Sequence, residues 1–125
     1  ELTLTESNSP PYRTGKLLLV NLTDGQVDPL QYQLPTALQA QNRDEVGTLV
    51  WIDCEIDGNG RWVESDCILT LIDYAQKTRL SETVFNGTER VEPMRAVCHF
   101  HDYITETELR DETAILAYLI NLPER

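Results

Sequence analysis

A chain of 125 residues, 41% hydrophobic and 25% charged, is sized and composed for one folded domain and not for a disordered tail. Its 21 acidic residues against 10 basic ones give a formal charge of -11, a field that repels nucleic-acid phosphates and anionic lipid headgroups. No apolar run reaches the roughly 20 residues that span a bilayer, so direct membrane insertion is not expected.

Residues 1–14, ELTLTESNSPPYRT, read as a lead-in segment or edge strand. Leu2 and Leu4 alternate with polar neighbours until SNSPP breaks the pattern with turn formers and prolines. Residues 15–125 read as a single α+β domain. GKLLLVNL at 15–22 predicts a strand, and TDG a turn in which Gly25 can take positive φ. Val27, Leu30, Tyr32 and Leu34 fit one face of a strand, which Pro29 would confine to an edge. After Pro35, TALQAQNRDE predicts a short helix near residues 36–45, capped by Thr36.

TLVWIDCEI at 48–56 and CILTLIDY at 67–74 have strong strand propensity. Period-two spacing puts Val50, Ile52, Cys54 and Ile56 on one face with Cys67, Leu69 and Leu71. Leu49, Trp51, Ile68, Ile72 and Tyr74 take the other, so both faces are expected to be covered. RLSETVF at 79–85 predicts a third antiparallel strand, ended by a turn at Asn86-Gly87. RAVCHFHDYI at 95–104 predicts a further strand. Thr105 to Glu108 form a capping-box pattern that opens a C-terminal helix. Its apolar stripe is Leu109, Thr113, Leu116 and Ile120, widened by Ile115 and Leu119, and Pro123 closes it. The expected fold is α+β: a predominantly antiparallel sheet with the C-terminal helix packed on it and the short helix at 36–45 beside it.

EIDGNGRWVESD at 55–66 admits two readings. Calcium loops need alternating oxygen ligands, a glycine at position six and a carboxylate at position twelve. Asp53, Glu55, Asp57, Gly58 and Glu64 fit this in one register; Glu55, Asp57, Asn59, Gly60 and Asp66 fit it in another. Both registers depart from the usual ligand pattern, and the flanks read as strands where an EF-hand has helices. A hairpin turning at Asn59-Gly60 is therefore expected, with Asp57 and Asn59 kept as candidate ligands of a different kind of calcium loop. That turn would put Ile52 opposite Cys67 and Cys54 opposite Ser65.

Cys54 and Cys67 would then be diagonal neighbours, more readily small core side chains than a disulfide; a longer loop would set them directly opposite. Cys98 is the third cysteine. His99 and His101 in CHFHD share one strand face and form a second, separate metal candidate, able to bind zinc if another strand supplies a ligand. Adjacent strand residues point apart, so Cys98 and His99 are not a catalytic dyad. Asp53, Asp73 and Asp102 are read as solvated or turn carboxylates. No HExxH, phosphate-binding glycine loop or serine nucleophile elbow occurs, and no catalytic residue or cofactor is assigned. Two glycosylation triplets, Asn21-Leu22-Thr23 and Asn86-Gly87-Thr88, are common enough by chance that their use is not expected.

These residues lean towards a non-catalytic protein-interaction or accessory module whose partner offers a basic surface, with no nucleic acid involved. A small metal-assisted enzyme built on His99 and His101 and a structural domain with no separable ligand are the competing classes. The absence of Met at the start is compatible with processing and an extracytoplasmic location.

Overall fold

The computed structural model describes residues 4–6, 10–58, 62–90 and 110–125, and of these 56–58, 62–65 and 88–90 in their backbone alone. Five strands run β1 Thr5–Glu6, β2 Lys16–Asn21, β3 Val46–Gly58, β4 Trp62–Asp73 and β5 Thr78–Arg90. They form one sheet in the order β1-β5-β4-β3-β2. Among the described residues one α-helix, α1 Glu112–Ile120, follows them. The α+β class holds, but the sheet is mixed and not predominantly antiparallel. β3 pairs antiparallel with β4, and β4 with β5, whereas β2 lies parallel to β3 and β1 parallel to β5. The reason is the length of chain between β2 and β3: residues 22–45 carry the backbone back to the end where β2 began, which a tight hairpin cannot do.

That return path holds three 3-10 turns, Pro29–Gln33, Thr36–Leu38 and Arg43–Glu45, in place of the edge strand at 27–34 and the helix at 36–45. Local capping explains both corrections. The Asp28 side chain accepts from the Leu30 amide at 2.9 Å, and Pro29 supplies the turn's φ, so the chain coils where alternation suggested extension. Asn42 accepts from the Asp44 amide at 3.0 Å, starting a new turn in the middle of the expected helix. A single bridge, Val20 to Val27, is what remains of the strand reading.

A close backbone crossing sets the start of β3. The Thr14 amide donates to Thr48 Oγ1 at 2.8 Å, and the Thr14 hydroxyl donates to the Gly47 carbonyl at 3.0 Å. A Cβ on Gly47 would collide with the Thr14 carbonyl and lie 2.9 Å from Gly15 Cα, so only glycine fits there. Just before this crossing Tyr12 is buried, donating its hydroxyl to Asp73 Oδ2 at 2.9 Å, and the Arg13 amide donates to the Pro123 carbonyl at 2.7 Å. Of the lead-in at 1–14, the described residues include the two-residue β1 at Thr5–Glu6; Leu4 is not in a strand, and Leu2 lies outside the described residues.

Strands flank the 55–66 loop on both sides, as the hairpin reading requires. Its register is two residues away from the expected one: Cys54 faces Cys67, Ile52 faces Leu69, and the ladder runs out to Gly58 opposite Val63. A shift of two keeps every side chain on its expected face. Asn86-Gly87 is not a turn but lies inside β5, paired with Asp66 and Ser65. The long β4 offers ladder partners as far as Trp62, and this pairing overrides the local turn preference.

Leu17, Leu19, Val50, Ile52, Leu69 and Leu71 on the inner face are fully buried. Leu30 and Leu34 from the return path and Ile115, Leu119 and Leu122 from the C-terminal end complete this core. On α1 the buried stripe is Ile115 and Leu119, while Leu116 is half-buried and Thr113 and Ile120 are exposed. The expected stripe is thus rotated. Tyr118 sets the rotation: its hydroxyl lies 3.0 Å from Ser81 Oγ, and its ring meets Phe85 edge-on at 5.5 Å. Asp111 caps this helix by accepting from the Ala114 amide at 3.0 Å. The capping box at 105–108, Leu109 and the expected strand at 95–104 lie outside the described residues.

Candidate functional site

The two faces of the sheet are unequal. On the outer face one end is sealed: Ile72 is fully buried, and Leu49 and Thr70 nearly so. Towards the 55–66 loop the cover ends. Trp51 is half-buried, Ile68 is 36% exposed and Val84 57% exposed. Register places these in successive rows: Trp51, Thr70 and Glu82; then Asp53, Ile68 and Val84; then Glu55, Asp66 and Asn86. Asp53, Glu55, Asp66 and Glu82 are all exposed. The result is a small apolar centre bordered by carboxylates. Glu55 directly opposite Asp66 is a like-charge cross-strand pair, which opposes folding and is relieved by any cationic group brought near. This surface can bury apolar area and attract positive charge.

At the other end of the outer face, beside β2 and the return path, lies a groove of about 480 Å³. Leu18, Val46 and Leu49 give it apolar lining, and Tyr32 and Tyr74 give it aromatic lining. Its amides are largely committed: Gln31 donates to the Leu17 carbonyl at 3.0 Å and accepts from the Leu19 amide at 2.9 Å, and Gln39 donates to the Leu34 carbonyl at 2.7 Å. Arg43 is the one charged residue among its described lining residues. Sequence patterning missed this groove because it read residues 36–45 as a short helix; the cluster of Tyr32, Tyr74 and a cation exists only once the return path folds over β2 and β3.

A buried ion pair was also beyond sequence reading. Arg110 donates through Nη1 to Asp28 Oδ2 at 2.7 Å and through Nη2 to Oδ1 at 2.5 Å, and both side chains are fully buried. Arg110 Nε reaches Glu112 at 3.1 Å, and Asn21 donates to Asp28 Oδ2 at 3.3 Å. Burial alone would raise the Asp28 carboxyl; the Arg110 guanidinium, the Leu30 amide and Asn21 outweigh it and hold it below the usual carboxylate value. Burial would likewise lower Arg110, and Asp28 and Glu112 reverse this. With both carboxylate oxygens of Asp28 engaged, this cluster fastens the segment before α1 to the return path and is not poised for proton transfer.

Cys54 and Cys67 form a disulfide with Cα atoms 4.0 Å apart. They lie on the inner face, essentially inaccessible, so the bond is structural, and the reading of both as free core side chains is corrected. The two-residue register shift is the physical reason: it turns diagonal neighbours into direct ones. Of the candidate metal ligands, His99, His101 and Asn59 lie outside the described residues, as do Cys98 and Asp102. Asp57 is in β3, in register with Glu64. Among the described residues no group of three or more His, Cys, Asp or Glu is arranged to hold a metal. Asp73 is committed to Tyr12 and to the Gln76 amide, whereas Asp53 is exposed on the outer face. Of the two glycosylation triplets, Asn21 is buried against Asp28 and Asn86 is exposed. Among the described residues no helix is long and apolar enough to cross a membrane. No family model, curated protein or solved structure matches this chain.

Proposed function

We propose that this chain is a non-catalytic interaction module that docks a protein partner on the outer face of its sheet, around Ile68 and Val84. The observation that carries this reading is the pairing of two exposed aliphatic side chains with a border of carboxylates. Apolar contact at the centre supplies affinity, and the acidic border selects a partner whose contact surface is basic and speeds its approach. A second copy of the chain fits poorly, because face-to-face pairing would oppose carboxylate to carboxylate in a molecule of charge -11. The Cys54–Cys67 disulfide supports an extracytoplasmic setting for the module.

The test is capture from native extract on the immobilised chain, compared with Val84→Arg and with the double variant Asp53→Lys, Glu55→Lys. The expected result is a basic protein held by the unaltered chain, released by salt, and lost from both variants. Failure to retain any protein whose binding depends on these positions would refute the reading.

A further inference from the structure

The groove beside β2 differs chemically from the acidic border, and it calls for a different ligand. Among the described residues that line this groove there is no Asp or Glu, although the chain carries 21 acidic residues. Arg43 is exposed there, and among the described residues no carboxylate pairs with it. The nearby Glu45 is already engaged, accepting from the Gln41 amide at 2.8 Å and meeting Lys16 Nζ at 3.5 Å. Tyr74 is held from behind: the Lys77 ammonium sits 3.8 Å from the centre of its ring and donates to its backbone carbonyl at 2.8 Å. Lys77 adopts φ 53°, a left-handed conformation uncommon for a residue with a side chain, and this turn brings its charge back over the ring. Arg43 is thus the charged group among the described lining residues of an aromatic and aliphatic groove, with Lys77 on the Tyr74 ring beside it.

We propose that this groove binds a free small carboxylate with an aromatic body, its ring between Tyr32, Tyr74 and Leu49 and its carboxylate on the Arg43 guanidinium. The volume of about 480 Å³ lies in the range of small-molecule sites. A planar guanidinium matches a carboxylate with two parallel donors, and the apolar lining supplies the contact that a bare anion could not use. This proposal stands apart from the docking of a protein on Ile68 and Val84, and either can fail alone.

Titration with phenylacetate and indole-3-acetate, followed by NMR, tests it, with phenylacetamide as the neutral counterpart. Saturable binding is expected, with shifts at Tyr32 and Tyr74. Arg43→Gln should weaken the acids about tenfold while leaving the amide unchanged, the effect of losing one charge-assisted pair. Val84→Arg should leave binding of the acids as it was. The thermal midpoint of Arg43→Gln should match that of the unaltered chain, since Arg43 is exposed and its side chain makes no ion pair among the described residues. No saturable binding at millimolar probe, equal affinity for acid and amide, or unaltered binding in Arg43→Gln would each overturn the proposal. So would tenfold tighter binding of a peptide ending in phenylalanine than of phenylacetate, because the ligand would then be a protein C-terminus.

Discussion

Asp28 does three jobs with one carboxylate: it starts a 3-10 turn, receives Asn21 and neutralises Arg110. Asp28→Asn would leave a buried guanidinium with only the half-buried Glu112 as counter-charge, at a cost of about 3 kcal/mol. Because the folded-state carboxyl titrates below its unfolded value, its contribution is fully present above about pH 4 and is lost as pH falls through the folded value. The gap between the thermal midpoints of the unaltered chain and Asp28→Asn should therefore hold near neutrality and narrow on acidification. A gap that stays constant into strong acid would contradict this assignment. Gly47 poses a steric constraint of a different kind. Gly47→Ala places a methyl against the Thr14 carbonyl, where both sides are backbone and neither can yield. We expect a loss of about 3 kcal/mol, read as a lower urea midpoint.

At the scale of elements, the β3–β4 hairpin is held by its ladder and by the Cys54–Cys67 bond across a sequence separation of 13. Closing a loop of that size in the unfolded chain is worth about 3 kcal/mol. The double variant Cys54→Ala, Cys67→Ala should lose about that much in chemical denaturation, and addition of reductant should leave its midpoint where it was. The same hairpin shows how far sequence alone can reach. Alternation placed Val50, Ile52 and Cys54 on one face and Trp51 on the other without ambiguity, because side-chain period is a local property. Register was not legible: it depends on how many residues the turn spends, and Asn59-Gly60 suggested two where the pairing to Gly58 and Val63 needs more. The parallel partnership of β2 and β3 was hidden for a related reason, since it is decided by a long return path whose turns hang on Asp28 and Asn42. α1 was legible as a helix and mis-rotated as a packed one. Ile115 and Leu119 face the core because Tyr118 meets β5, a contact that no helical period contains.

At the scale of the whole molecule, burial is one-sided. Among the described residues the inner face is closed by α1 and the return path, while the outer face is closed near Ile72 and Leu49 and open at Ile68 and Val84. The sequence pattern marked Trp51 and Ile68 as apolar outer residues and read both faces as covered; the exposure of Ile68 and Val84 reflects the absence of a described element above them, which composition does not encode. The net charge of -11 was plain from the start, but its separation into an acidic border and a groove with no carboxylate among its described lining residues required the fold. Charge also sets the expected behaviour in solution. Since like-charged faces repel, the chain alone should sediment as a monomer at low salt, and a salt-weakened dimer would argue against the acidic border as a barrier to self-association. The most direct measurement is a salt titration of the captured partner's affinity for the unaltered chain and for Val84→Arg. Docking on the acidic outer face predicts affinity that falls as salt rises and is lost in Val84→Arg throughout. Affinity indifferent to both salt and Val84→Arg would place the partner elsewhere on the molecule.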